Sequence, residues 1–296
     1  VTIEDGKTER LEHELLGMPK ITGVVRDDKD KPIEGVEMEI CPAGGREESV
    51  SDAEGKFEVI YDLGSWPSGR TPTMVLVGRH QERNLAAAVQ VGEDMREIEI
   101  KLEPAVTMTG QIVDPNDKSI ADAEVRIILQ GPQWGSPIGR KPAITDSDGK
   151  YEIKALPPES TYSIYARAEG YGESRGGQIN TQKDVDNCLD MGKQALALAN
   201  LSISGIVVDD NDKPVAGTRI SSYGDNQPYR NTQTNVDGKF TIEKVCAGKI
   251  RISADKSGAT QLSGYVETEG GATDVRIIIS ERPSATRYEP KRPPSL

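Results

Sequence analysis

Two short motifs each occur three times in the 296-residue chain, in the same order and at similar spacing. The first is a glycine followed by apolar residues and an aspartate, and its glycines are Gly23, Gly110 and Gly205. The second is a turn that ends in Gly-Lys and an aromatic residue, and its glycines are Gly55, Gly149 and Gly238. Successive glycines lie 87 and 95 residues apart in the first motif, and 94 and 89 in the second. Two independent motifs at one period predict three tandem domains of about 90 residues.

The repeats divide the chain into five segments. The domains are predicted at 21–104, 105–200 and 201–281. Residues 1–20 resemble the last strand of a domain that the sequence does not contain. Because a lone strand cannot bury its apolar face, three placements stay open: truncation of a longer protein, packing within the chain, or donation of strand 1–16 to another chain. Residues 282–296 contain four prolines and carry a net charge of +3, which predicts a linker or tail.

Each copy has the pattern of a β-sheet protein. Val36, Met38 and Ile40 alternate with Glu37 and Glu39, as expected for a strand with one buried face. Such strands need a second sheet to cover them, and about seven fit in one repeat. We therefore predict an all-β fold of three tandem seven-stranded Greek-key β-sandwich domains. Residues 191–201 are predicted to form the last strand of the second domain, because of their position in the repeat.

The motifs resemble a known family. The order G-x-V-x-D, then K-P-[IV]-x-G-[VA], then [TS]-D-x-x-G-x-[FY] is similar to the carboxypeptidase regulatory-like domain, over 21–281. The resemblance implies a transthyretin-like, or prealbumin-like, sandwich of the Ig-like kind, which is common in tandem arrays of bacterial envelope and secreted proteins. The second copy departs from it at Ser119 and Asp122, where the pattern has Pro and Gly. That departure predicts a first turn of different shape.

A second resemblance concerns residues 79–88 and the tail 291–296. Both are similar to segments of multidomain proteins of planctomycete-type bacteria. In those proteins such arrays lie between a membrane-anchored peptidase-like part and a thioredoxin-like domain. This resemblance implies that the chain is a fragment of a larger envelope protein.

Composition excludes several functions. The net charge of −12 opposes nucleic-acid binding, because a phosphate backbone selects clustered Lys and Arg. No apolar run approaches the roughly 18 residues of a membrane span. Cys41, Cys188 and Cys246 lie far apart and are odd in number, so they indicate neither a disulfide framework nor a CxxC metal site. We interpret Cys41 and Cys246 as core or incidental residues, without a nearby histidine to activate them.

One acidic loop follows the first strand in each of the three copies. Their carboxylates are calcium candidates, since Ca²⁺ takes six to eight oxygen ligands. The favoured interpretation is a plain turn, because Asp and Asn suit chain reversals and a lysine lies in each loop. The candidate ligands are Asp27, Asp30, Asp114, Asp117, Asp209 and Asp212.

Other site residues are few. His80 and Glu82 suggest zinc, but a catalytic zinc needs about three protein ligands, and His13 is remote in sequence. Trp66 and Trp134 lie in Gly- and Pro-rich segments and are predicted on loops. An exposed tryptophan stacks on sugar rings or anchors a protein, whereas a buried one packs its own loop. Loop packing is favoured, with ligand binding by Trp66 and Trp134 as the alternative.

The sequence thus predicts a non-catalytic structural or spacer array without a cofactor, in a periplasmic or extracellular envelope protein. Short linkers at 102–105 and 199–202 predict limited freedom between domains. The expected partners are flanking domains of the same polypeptide. A carbohydrate- or protein-binding module and an assembly subunit that donates strand 1–16 are the alternatives. An enzyme is disfavoured because no acid/base pair, metal set or nucleophile emerges.

Overall fold

A computed structural model describes residues 19–42, 49–61, 73–92, 94–181, 187–258 and 261–281. Over these residues the chain forms 24 strands in six sheets. No helix in the described ranges is long and apolar enough to cross a membrane. The orphan strand predicted at 1–16, Trp66 and the predicted tail at 282–296 lie outside the described residues.

The first repeat consists of a three-stranded and a five-stranded sheet. Its strands are β1 (Lys20–Arg26), β2 (Glu37–Cys41), β3 (Ser49–Val50), β4 (Lys56–Ile60), β5 (Met74–His80), β6 (Leu85–Val91), β7 (Glu97–Lys101) and β8 (Glu103–Pro104). The small sheet has the order β4-β1-β7, with β1 antiparallel to β4 and parallel to β7. The larger sheet is antiparallel, in the order β3-β2-β5-β6-β8.

The second and third repeats share the small-sheet topology, but the larger sheet of the second ends in two short strands that pair with the same neighbour. The second contains β9 (Val106–Val113), β10 (Glu124–Gln130), β11 (Gly135–Ile144), β12 (Lys150–Leu156), β13 (Thr161–Arg167), β14 (Glu173–Arg175), β15 (Ile179–Asn180) and β16 (Cys188–Ala195). The third contains β17 (Leu201–Val208), β18 (Arg219–Tyr223), β19 (Arg230–Gln233), β20 (Lys239–Val245), β21 (Lys249–Lys256), β22 (Leu262–Glu269), β23 (Val275–Ile278) and β24 (Ser280–Glu281). Their small sheets are β12-β9-β16 and β20-β17-β23. Each repeat thus has seven strands plus one extra two-residue strand, which confirms the predicted fold class.

The period-two pattern correctly marks the buried face of β2. Val36, Met38 and Ile40 are buried in the first core, as the alternation predicts. One prediction is wrong: the last strand of the second repeat ends at Ala195 instead of continuing to residue 201. Residues 197–199 instead bind the loop after β13, where the Ala199 amide donates to the carbonyl of Gly170 at 2.9 Å. Those hydrogen bonds turn the chain toward the next repeat.

The two sequence motifs meet inside each sandwich. The motif glycine of β1 is the cross-strand partner of the aromatic residue that ends the second motif, as in the pair Gly23 and Phe57. A Cβ atom on Gly23 would lie 1.9 Å from the carbonyl oxygen of Ile98 and 2.9 Å from the Phe57 ring. Glycine is therefore required for the close approach of β1 to β7. The same pairing recurs between Gly110 and Tyr151 and between Gly205 and Phe240.

Candidate functional site

The acidic loop after the first strand has one geometry in all three repeats. In the first repeat, Asp27 Oδ1 accepts the amide hydrogens of Lys29 and Lys31, both at 3.0 Å. The hydrogen bond from the Lys31 backbone is the main cause that lowers the pKa of Asp27. Asp114 and Asp209 make the equivalent pairs of bonds. These carboxylates therefore stabilise the chain reversal, as short polar side chains do in turns.

The second candidate carboxylate of each loop faces a basic side chain on the strand that runs parallel to the first strand of the repeat. Asp30 lies 3.9 Å from the Lys101 ammonium, and Asp117 lies 3.3 Å from Lys193. Asp212 pairs with a guanidinium, that of Arg276. Among the described residues, no group of three or more His, Cys, Asp or Glu is placed to hold a metal ion. Calcium binding by these loops stays a prediction, and it would require the second carboxylates to leave their basic partners.

The first turn of the second repeat was predicted to differ, and that prediction is wrong. Asp122 has a φ of +57°, close to the +61° of Gly217 in the third repeat. Ser119 bridges to Val113 as Pro214 bridges to Val208. An aspartate can adopt the left-handed conformation that the position requires, because its short polar side chain tolerates it.

A buried hydroxyl joins the two turns of each repeat, and the sequence reasoning missed it. Ser51 Oγ donates to the carbonyl of Ile33 at 2.7 Å and accepts the Val36 amide hydrogen at 2.9 Å. Thr145 and Thr234 make the same two contacts in the later repeats. Its signal in the sequence is the Ser or Thr that precedes the Asp or Asn of the second motif.

The junction between the first two repeats is built around a β-bulge. The pairing of β12 with β9 shifts register between Ile153 and Leu156, and a bulge of this kind leaves backbone groups without ladder partners. Arg79 of the first repeat supplies partners for two of these groups. Its Nε donates to the Ala155 carbonyl at 2.9 Å and its Nη2 to the Lys154 carbonyl at 2.8 Å. Arg79 is only 3% exposed. Its planar, forked donors match two adjacent carbonyls in a way that an ammonium cannot.

A second side chain of the first repeat completes this junction. Asn84, in the turn between β5 and β6, accepts the Ala155 amide hydrogen at 2.8 Å and donates to the Ala105 carbonyl at 3.0 Å. Ala86, Ala105 and Ala155 form a fully buried cluster beneath these bonds. Small side chains allow the two backbones to approach, and the hydrogen bonds satisfy the polar groups that this approach buries.

Apolar contacts extend the same junction. Cys41 and Val77 point away from their own sandwich and belong to the hydrophobic cluster of the second repeat. Trp134 joins that cluster and its Nε1 donates to the carbonyl of Thr73 at 2.9 Å. The Trp134 ring is 8% exposed. Ligand binding by Trp134 stays a prediction, and its ring would have to leave the junction to stack on a sugar.

The second junction is built differently. Arg167 occupies the position in the second repeat that Arg79 occupies in the first. Each arginine is the cross-strand partner of the first residue of the neighbouring strand, which is Glu37 for Arg79 and Glu124 for Arg167. Arg167 bonds Glu124 of its own repeat, with Nε at 2.9 Å and Nη2 at 2.6 Å, and is half exposed. The third repeat contacts the second through close backbone packing, the Cys246 thiol and an ion pair between Lys244 and Glu169. A Cβ on Gly172 would lie 2.1 Å from the carbonyl oxygen of Asn226.

The remaining candidate residues have structural partners or lie at the surface. His80 Nδ1 accepts the amide hydrogen of Arg83 at 3.3 Å and closes the turn after β5. Cys246 is buried at the second junction, with Sγ 3.5 Å from the Ala197 carbonyl. Burial raises the pKa of Cys41 to about 12 and also raises that of Cys246. Cys188 is exposed. Buried thiols with raised pKa values are inert.

These observations define a class of protein: tandem β-sandwiches in which a buried hydroxyl joins two turns of each repeat, and in which neighbouring repeats contact each other directly. The chain belongs to the carboxypeptidase regulatory-like domain family, whose profile matches residues 107–191 and 202–280. These are the second and third repeats. The first repeat has the same turn bonds and the same order of strands in its small sheet.

Solved structures with low identity also match the chain. It is similar to the Bacillus anthracis TIE protein, with 14% identity and a TM-score of 0.28, over 90% of this chain and 51% of that one. It thus spans about half the length of that protein. A streptococcal ancillary pilin matches with 10% identity and a TM-score of 0.32, over 89% and 99% of the two chains. The Streptococcus agalactiae minor pilin GBS52 matches with 14% identity and a TM-score of 0.34, over 64% and 100%. No curated protein matches the chain.

Proposed function

We propose that this chain is a structural spacer, in which sandwiches spanning 21–104, 105–200 and 201–281 hold attached parts of a larger protein at a set distance and orientation. The observation that supports it most is the junction of the first two repeats, where Arg79 and Asn84 satisfy the bulge of β12. A flexible linker needs no such contacts. Directional hydrogen bonds to buried backbone groups fix the orientation of one domain against the next.

The proposal includes the setting of the protein. Its partners are the flanking domains of one polypeptide, and its location is the cell envelope, on the periplasmic or extracellular side. The resemblance to tandem envelope arrays supports this location. Fractionation of cells that express the natural full-length protein tests it, and recovery in the cytoplasmic fraction would contradict it.

Thiol labelling tests whether the junctions are closed in solution. Cys188 is exposed, whereas Cys41 and Cys246 are buried at the first and second junctions. We expect a maleimide to label Cys188 at the rate of a free thiol, and Cys41 and Cys246 at least about 100-fold more slowly, because labelling requires opening. Rates are measured by mass spectrometry of peptides after timed quenching. Labelling of Cys41 as fast as that of Cys188 would contradict a closed first junction.

A further inference from the structure

Three tyrosines that are distant in sequence share the outer face of the third repeat's five-stranded sheet. Tyr223 on β18 is 44% exposed, and Tyr265 on β22 is 62% exposed. Tyr229 precedes β19 and is 47% exposed, with its hydroxyl 3.3 Å from Ser221 Oγ and 3.4 Å from Arg219 Nη2. The strand order β19-β18-β21-β22 brings them together. We call this surface the tyrosine face.

Arg251 lies at the centre of the tyrosine face. It is the cross-strand partner of Tyr223 on one side and of Glu267 on the other. Its guanidinium carbon is 3.8 Å from the centroid of the Tyr265 ring and 6.0 Å from that of Tyr223. Arg251 Nε is buried and has no hydrogen-bond partner within the described structure. The face therefore presents an ordered cation that is held against an aromatic ring.

Groups that form hydrogen bonds surround the rings. Along β18, β21 and β22, aliphatic side chains such as Ile220 and Ile252 point inward and are buried. The alternating outward positions between the tyrosines carry Ser221 and Ser253. The charged outward side chains balance, three basic against three acidic: Arg219, Lys249, Arg251, Asp255, Glu267 and Glu269. This composition suits an uncharged ligand that has both apolar faces and many hydroxyl groups.

The tyrosine face differs from the matching face of the first repeat, which packs against the next domain. In the first repeat, this face carries Cys41 and Val77, which pack into the second repeat. The corresponding positions of the third repeat carry Tyr223 and Ser253, as the strand registers show. At the register position of Arg251 the first repeat carries Val75, which also packs against the second repeat. The tyrosine face therefore lacks the apolar side chains that the first repeat uses for docking.

We propose that the tyrosine face binds a neutral oligosaccharide. Tyr223 and Tyr265 lie on strands separated by β21, so their backbones are about 10 Å apart across the sheet, which provides stacking platforms for more than one sugar ring. Aromatic side chains combine a flat apolar surface with a polar edge. Ser221, Ser253 and Arg251 supply hydrogen-bond partners for sugar hydroxyl groups between the platforms.

The test is a titration of the full chain with neutral gluco-, xylo-, galacto- and N-acetylchito-oligosaccharides, followed by calorimetry and NMR. We expect at least one to bind with a Kd below about 10 mM, a range that weak, specific contacts reach. Its NMR shifts should centre on Tyr223, Arg251 and Tyr265. Y223A and Y265A should each weaken binding by about tenfold, as the loss of an aromatic contact does. Ile278→Ala, an exposed change on the other sheet of this repeat, should leave the Kd unchanged.

Several results would overturn the proposal. They are no binding by any neutral oligosaccharide up to about 10 mM, binding that Y223A and Y265A leave unchanged, and stronger binding of an acidic polysaccharide or of a protein at this face. Because the tyrosines are exposed, unchanged thermal unfolding of the variants shows that lost binding is not lost folding. The spacer proposal does not depend on this outcome, since it rests on Arg79 and Asn84 at the junction of the first two repeats.

Discussion

Replacing Arg79 by alanine is expected to lower the free energy of unfolding by about 2–4 kcal/mol, since two buried carbonyl groups would each lose a charged donor. The carbonyls belong to Lys154 and Ala155 of the next repeat, so the loss should fall on the junction. Arg79→Lys should rescue little, because one ammonium cannot reproduce the two donors of the planar guanidinium. Urea unfolding measures the loss, with Trp134 fluorescence as the probe and Trp66→Phe as the background.

Arg167→Ala is the matched control. Arg167 has the same register position one repeat later, but it is half exposed and bonds Glu124 of its own sandwich. An exposed ion pair of this kind contributes about 0–1 kcal/mol. We therefore expect R167A to unfold almost as the unaltered chain does and to leave Cys41 protected from maleimide. Equal losses for R79A and R167A would contradict the role assigned to Arg79.

Replacing Gly23 by alanine is expected to destabilise the first sandwich by about 3 kcal/mol, the upper part of the range for overpacking. The added Cβ would lie 1.9 Å from the Ile98 carbonyl oxygen, and a backbone group cannot move away without separating β1 from β7. Calorimetry should show the melting of this repeat lowered by more than about 10 °C.

Gly92→Ala is the control for this substitution within the same repeat. No heavy atom lies within 4 Å of a Cβ built on Gly92, and the residue is not among those with positive φ. We expect its melting temperature to change by only a few degrees, since about 1 kcal/mol corresponds to 4–8 °C for a domain of this size. If Gly23→Ala melted like Gly92→Ala, the close approach of β1 to β7 would not be a requirement of the fold.

Local patterns predicted much of the fold. The repeated glycines, the alternation around Met38 and the turn chemistry at Asp27 and Asp52 act within a few residues, so they can be read from one sequence. The third repeat's Tyr223 and Tyr265 are 42 positions apart, and only the register of β18, β21 and β22 brings them together. That face could not be predicted from spacing.

The junctions were predictable only in part. Short linkers indicated limited freedom, but they did not show that Arg79 reaches the next repeat while Arg167, at the same position, does not. The difference depends on where the bulge of β12 lies relative to the preceding sandwich, and such long-range placement has no local signal. For the same reason, the sequence predicted that Trp134 packs its own loop but did not show that it bonds Thr73 of the preceding repeat.

The central claim is that the first two repeats keep one fixed orientation, and a spin-label distance measurement tests it most directly. Labels at Lys56→Cys and Lys150→Cys, both exposed and at equivalent positions of their repeats, are introduced with Cys188→Ser. The buried Cys41 and Cys246 stay unlabelled. We expect one narrow distance distribution that broadens when Arg79→Ala is added. A broad distribution in the chain with Arg79 intact would contradict the account.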